Sequence, residues 1–183
     1  SKLTDDQVLD KILGIIYGQA LGDAFGLATE FMDEDTVEQY FGPDNTKLIP
    51  FPNPKKTYHS VRWKTGDWTD DTDQMILIMR SLLDNNMLVD AEDFAEKLQT
   101  WMFKGFPECG DHGGMGIGMT VHSVLTHKNF LNDPKGAAKE IWEKYGKNLA
   151  ANGAVMRASI LGVLNFDDLN KVIQNTTEIC QVT

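Results

Sequence analysis

Several things are scarce in this chain. Its 183 residues include only two cysteines, Cys109 and Cys180. Two cysteines give neither a disulfide framework nor a metal-type pair, so a reduced, cytoplasmic compartment is the expectation. Positive charge is also short: 17 Lys and Arg stand against 27 Asp and Glu, for a net charge of -10. An acidic chain is poorly suited to grip a nucleic-acid backbone or to lie on an anionic membrane. No apolar run approaches the roughly 20 residues of a membrane span. The first ten residues, SKLTDDQVLD, lack the apolar segment of a signal peptide. Convincing strand patterns are absent, as are internal repeats and low-complexity tracts.

What remains is a chain with 42% hydrophobic residues, enough for one compact domain with a real core. Its pattern is helical throughout, so the expectation is a single all-α domain over residues 1–183. Thr4 and Gln7 have capping-box spacing, and Val8, Ile12, Ile15 and Ile16 follow with helical period. In that helix Gly14, Gly18, Gly22 and Gly26 recur every fourth residue, which predicts close approach of another backbone. Residues 42–68 hold four of the six prolines and read as a long irregular loop. A helix is predicted from about Asp70 to Asn86, and another from Asp90 to Gly105. A glycine-rich loop then enters a helix near Gly118. Asn132, Asp133 and Pro134 start the next, which stops at Gly146. ANGAVMRASILGVL reads as a further helix, and Asp167 or Asp168 opens the last.

Four places carry unusual chemistry. In WTDDTDQMILIMRSLL, Thr69, Asp70, Asp71 and Asp73 crowd the start of a helix. Capping and the macrodipole account for one or two acids there. They account less well for adjacent carboxylates, and hard oxygen donors of this kind suit Mg²⁺ or Mn²⁺. Both readings stay open from composition alone. Glu30, just past the glycine-striped helix, is either solvated surface or part of a site. Asp23, within that helix, reads as a buried hydrogen-bonding residue. Gly113, Gly114, Gly116 and Gly118 offer backbone N–H groups for an anion, yet match neither the dinucleotide fingerprint nor the P-loop. Asn152 and Gly153 read as an ordinary cap or a second loop site, with Arg157 one turn on. The four histidines show no ligand spacing.

Taken together, ILGIIYGQALGDAFGLATEF, WTDDTDQMILIMRSLL, GGMGIGMT and NGAVMRASILG, in this order, resemble the ADP-ribosylglycohydrolase family. The resemblance runs from about Ile12 to Leu164. It implies a compact orthogonal helical bundle with a binuclear Mg²⁺ centre, sometimes Mn²⁺, in a cleft. It implies hydrolysis of the ribosyl glycosidic bond of an ADP-ribosylated protein or a small ADP-ribose conjugate. By the same resemblance Thr69, Asp70 and Asp71 are metal ligands, and Glu30, Asp70 and Asp71 serve catalysis. Gly113, Gly114, Gly116 and Gly118 hold the diphosphate, and Asn152 and Gly153 lie near the substrate.

One departure accompanies the resemblance. Family members carry a second acidic motif, of the Asp-Thr-Asp type, near their C-terminus, and none occurs here. The expectation is therefore an N-terminal portion of the domain, with about half of the metal centre. Three explanations compete: a second polypeptide supplies the remaining ligands, the chain is an inactive ADP-ribose-binding module, or it is a structural relative like the family's jellyfish lens crystallins.

Overall fold

The computed structural model describes residues 3–43 and 55–183, and these are all-helical, with seven α-helices and no strand among them. Part of the proline-rich stretch predicted as an irregular loop, residues 44–54, lies outside the described residues. The helices are α1 (Asp5–Gly26), α2 (Glu34–Phe41), α3 (Asp70–Asp84), α4 (Ala91–Lys104), α5 (Met119–Leu125), α6 (Pro134–Lys144) and α7 (Leu169–Cys180). Short 3-10 turns at Ser60–Arg62, Pro107–Cys109 and Ala158–Gly162 punctuate the connections.

Caps fix most of the starts. Thr4 and Gln7 form the reciprocal capping box of α1. Thr69 accepts from the N–H of Asp71 to start α3, and Asp90 accepts from Glu92 and Asp93 to start α4. Asp133 and Asp168 do the same for α6 and α7. The core is built around α3 and α4. Met75, Ile78 and Leu82 on one side of α3 meet Phe94, Leu98 and Trp101 of α4, all buried. Val124, Leu125, Phe130, Leu161 and Ile179 close over them from α5, α7 and the connections.

Two elements differ from the sequence-based expectation. Helix α2 was not anticipated, because DEDTVEQYF offers only Val37, Tyr40 and Phe41 as apolar positions; Asp33 nonetheless caps it through the N–H of Thr36. The segment ANGAVMRASILGVL is not an α-helix. It makes a series of turns and then the 3-10 turn Ala158–Gly162. Tertiary partners capture its backbone: the Met156 carbonyl accepts from the Gln19 amide at 2.9 Å. The guanidinium of Arg157, fully buried, donates to Gln74 Oε1 at 3.0 Å and Thr183 Oγ1 at 2.9 Å, and lies over the Phe94 ring. Arg157 is thus a core residue. Burial lowers its pKa to about 10, so it stays a cation at neutral pH.

The glycine stripe of α1 also departs from expectation. Apart from chain neighbours and the helix's own backbone, no heavy atom of the described residues lies within 4 Å of where a Cβ would sit on Gly14, Gly18, Gly22 or Gly26. No backbone packs there among the described residues. Three of these glycines instead form one wall of a cleft.

Candidate functional site

The cleft encloses about 450 Å³ between α1, the start of α3 and the turn at Asn152. Gly18, Gly22 and Gly26 give it an open wall, and Asp23, Glu30, Thr69 and Asp71 line it together with Asn152. Asp23 is what joins the two helices. Its Oδ1 accepts from the Thr69 hydroxyl at 2.8 Å, and its Oδ2 accepts from the backbone N–H of Thr69 and Thr72 and from the Thr72 hydroxyl, at 2.7–3.1 Å. A carboxylate from one helix therefore caps another from 46 residues away. The sequence-based reading of Asp23 as a buried hydrogen-bonding residue describes the bonding, but the side chain is half-buried, on the cleft wall.

Gln19, one turn before Asp23, completes the joint. Its amide N–H₂ donates to the carbonyl of Asp71 at 3.0 Å and to that of Met156 at 2.9 Å, while its carbonyl accepts from Ser159. Sequence reasoning passed over Gln19, although a polar pair at 19 and 23 in the otherwise apolar stretch from Ile12 to Gly26 was the available signal.

The acidic stretch divides into separate tasks. Asp71 faces the cleft. Asp70 points behind it: its Oδ2 accepts from the Gln74 amide at 3.2 Å, and Gln74 in turn accepts from Arg157. Asp73 accepts from both indole N–H groups nearby, Trp68 at 2.8 Å and Trp101 at 2.9 Å, and is structural. Electrostatics follow this layout. Burial, aided by the charges of Asp71, Glu30 and Asp23, raises Asp70 to about 7. Burial and the charges of Asp23 and Glu30 raise Asp71 to about 6. Burial, aided by the charges of Asp111 and Asp67, raises Asp73 to about 6, against the opposing pull of its two indole donors.

The glycine-rich loop sits against the back of Asp70. At Gly116 φ is +91°, and a Cβ there would lie 2.5 Å from Asp70 Oδ1. At Gly114 a Cβ would meet the Trp101 ring at 2.9 Å. Packing thus accounts for these two glycines. Gly113 lies beside the Met102 carbonyl, and Gly118 is the open cap of α5. None of the four lines the cleft among the described residues. Asn152 reaches the cleft, while Gly153 packs on Val121 and borders a different cavity.

Glu30 stands at the rim. Its Oε2 lies 2.8 Å from His59 Nε2. Phe31, the next residue, adopts φ of +61°, a conformation unusual for a bulky side chain. It turns the chain sharply at this point and sets its ring edge-on to His59, with centroids 4.8 Å apart.

The donor chemistry suits a hard cation. Every candidate is an oxygen, and Thr69 directs its hydroxyl proton to Asp23, leaving a lone pair available. Burial, with mutual repulsion behind it, raises these carboxylates, and a cation would offset both. The number of donors falls short: among the described residues no group of three or more His, Cys, Asp or Glu side chains is close enough to hold a metal.

Sequence comparison decides the family. The profile of the ADP-ribosylglycohydrolase family matches residues 4–183. The chain belongs to the ADP-ribosylglycohydrolase family. Among its relatives is YegU of Escherichia coli, an uncharacterized protein 30% identical over 155 residues, which span 85% of this chain and 42% of that protein. The ADP-ribosyl-[dinitrogen reductase] glycohydrolase of Rhodospirillum rubrum is 29% identical, over 85% of this chain and 45% of its own length. The ADP-ribosylarginine hydrolase Tri1 of Serratia proteamaculans is 30% identical, over 67% of this chain and 30% of its own length. The chain therefore spans less than half of these relatives. No helix of the described residues is long and apolar enough to cross a membrane.

Proposed function

We propose that this chain contributes the Glu30 and Thr69–Asp71 half of an ADP-ribosylglycohydrolase centre, which hydrolyses the ribosyl glycosidic bond of an ADP-ribosylated side chain or conjugate. The observation that carries the reading is the convergence of Asp23, Glu30, Thr69, Asp71 and Asn152 on one cleft. Family membership supplies the reaction class. Two relatives act on ADP-ribosyl-dinitrogen reductase and ADP-ribosylarginine, which makes ADP-ribosylated arginine the first substrate to test.

Loss of the leaving group gives the anomeric carbon oxocarbenium character, and a concentrated negative field favours it. Asp71 and Glu30, on the cleft surface, supply that field here. Glu30 serves as the acid or base, because it combines access to the cleft with a fixed partner behind it. Asn152, which also lines the cleft, would hydrogen-bond the ribose. The loop 113–118 buttresses Asp70, and its backbone N–H groups are the candidate donors to the diphosphate. Thr69 and Asp71 on the cleft would hold Mg²⁺, or Mn²⁺ in its place, joined by Asp70 once its carboxylate turns from Gln74, with further donors from water and from outside the described residues. Such a pair of cations supplies Lewis acidity that orients the ribose hydroxyls and lowers the pKa of a water. A second polypeptide carrying the rest of the family domain is one source of those donors. Two unpaired cysteines suit a cytoplasmic setting.

The test is Mg²⁺-dependent release of ADP-ribose from an ADP-ribosylated protein by the native assembly. Release is expected, and Asp70→Ala with Asp71→Ala should abolish it. Unchanged release in that double variant would refute the assignment. The incomplete donor set favours one second reading, an ADP-ribose-binding module without turnover. Calorimetric binding with no release at any Mg²⁺ concentration would select it. A crystallin-like structural protein would show neither.

A further inference from the structure

The irregular segment before α3 contains a buried histidine that the proposed reaction has not used. His59 is 7% exposed and sits between the Phe31 ring edge and the Trp63 indole, with ring centroids at 4.8 and 4.9 Å. Its two nitrogens have different partners. Nε2 faces Glu30 Oε2 at 2.8 Å, and Nδ1 faces the Arg62 guanidinium at 2.8 Å. Arg62 also donates from Nε to the His59 carbonyl at 3.3 Å and lies over the Trp63 ring at 4.6 Å.

The donor inventory decides the tautomer. A guanidinium has five N–H donors and no acceptor. His59 Nδ1 must therefore accept, so it carries no proton, and the ring's single proton resides on Nε2. Among the described residues, the acceptor facing that N–H is the carboxylate of Glu30. The turn that presents His59 is itself braced: Thr57 and Ser60 bond each other reciprocally, and Lys56 donates to the Trp63 carbonyl at 2.8 Å.

We infer that His59 and Arg62 are positioning residues for Glu30. Arg62 locks the imidazole as the neutral Nε2–H form, and His59 then holds one oxygen of Glu30 at the cleft rim and leaves the other free for the substrate. The consequence is directional. With Nδ1 occupied by Arg62, the ring offers Glu30 a single hydrogen bond of fixed geometry. The inference rests on the reading of Glu30 as the acid or base.

Two measurements test it independently. In the full chain with ¹⁵N-labelled histidine, NMR should show His59 protonated at Nε2 and bare at Nδ1, its signals assigned by their loss in His59→Gln. Arg62→Met should let the proton populate Nδ1. A wild-type ring protonated at Nδ1, or a tautomer unmoved by Arg62→Met, overturns the lock. In the ADP-ribose release assay, Arg62→Met should lower kcat roughly tenfold with KM changed less than about twofold, and Arg62→Lys should recover part of the loss. Added to Glu30→Gln, Arg62→Met should cost nothing more. An additive loss overturns the positioning role. If the wild-type assembly releases no ADP-ribose, the functional reading fails and the NMR result alone decides the lock.

Discussion

Helix α1 runs for 22 residues and buries none of them, while the 15 residues of α3 bury nine. Both are rich in apolar side chains, and the two touch through Asp23. Their difference lies in how those side chains are distributed. In α3 the apolar residues form one stripe, and the opposite face carries Arg80, Leu83 and Asp84 toward solvent. In α1 Ile12, Ile15 and Ile16 are half-buried on one side, and Leu13, Tyr17, Leu21 and Phe25 are exposed on the other. A helix that is apolar all round is a core helix by pattern. Here it is a surface helix among the described residues, joined to the rest by the hydrogen bonds of Asp23 and Gln19 and by Ile16 against the core. Apolar content marks a segment as able to be buried; the neighbours decide whether it is.

The largest test of that contrast is in the core. Ile78→Ala, at a fully buried position of α3, is expected to cost about 2–5 kcal/mol in urea unfolding. An effect below about 1 kcal/mol would mean that the α3 core is looser than its packing suggests. Next comes the joint itself. Asp23→Ala removes the acceptor shared by Thr69 and Thr72 and is expected to cost about 1–3 kcal/mol. Hydrogen exchange should rise at the first turn of α3 in that variant and stay unchanged in α4.

The acidic end of α3 gives the opposite sign. Asp70 and Asp71 bind protons more tightly in the folded protein than their ordinary value of 3.8 allows, at about 7 and about 6. The folded state thus holds more protons than the unfolded one between those values, and stability falls as pH rises through that window. Metal-free protein should melt at a higher temperature near pH 5 than near pH 8, as followed by circular dichroism. Asp70→Asn should raise stability near pH 8 by roughly 1–2 kcal/mol and reduce the pH dependence. Saturating Mg²⁺ should reduce it as well. A wild-type profile with no slope between pH 5 and 8 would contradict the repulsion.

The smallest expected effect is on α1. Leu21→Ala, at a residue 68% exposed, should change the stability of the isolated chain by less than about 0.5 kcal/mol. A loss comparable to that of Ile78→Ala would show that α1 is covered in solution and would erase the contrast.

Helix starts were legible because a cap is a local device: Thr4, Thr69, Asp90, Asp133 and Asp168 each bond a backbone N–H two or three residues on. The motifs around Glu30 and Thr69–Asp71 carried the family in the same local way. Helix α2 escaped because eight largely polar residues give too little periodicity. The segment after Asn152 was misjudged because its apolar spacing is helical, while its polar groups are taken up by Gln19, Gln74 and Thr183 from elsewhere. His59 could not be paired with Glu30 from sequence, since 29 residues separate them.

The sequence by itself determined an all-α chain of this family, its helix caps, and the oxygen-rich chemistry at the head of α3. Only the tertiary structure decided which carboxylate does what. Asp71 faces the cleft, Asp70 backs onto Gln74 and Gly116, Asp73 anchors two tryptophans, and Asp23 caps a helix other than its own. The reason is physical: a carboxylate's role is set by burial and by the donors and charges that surround it, and in this fold those come from elements far away in the chain.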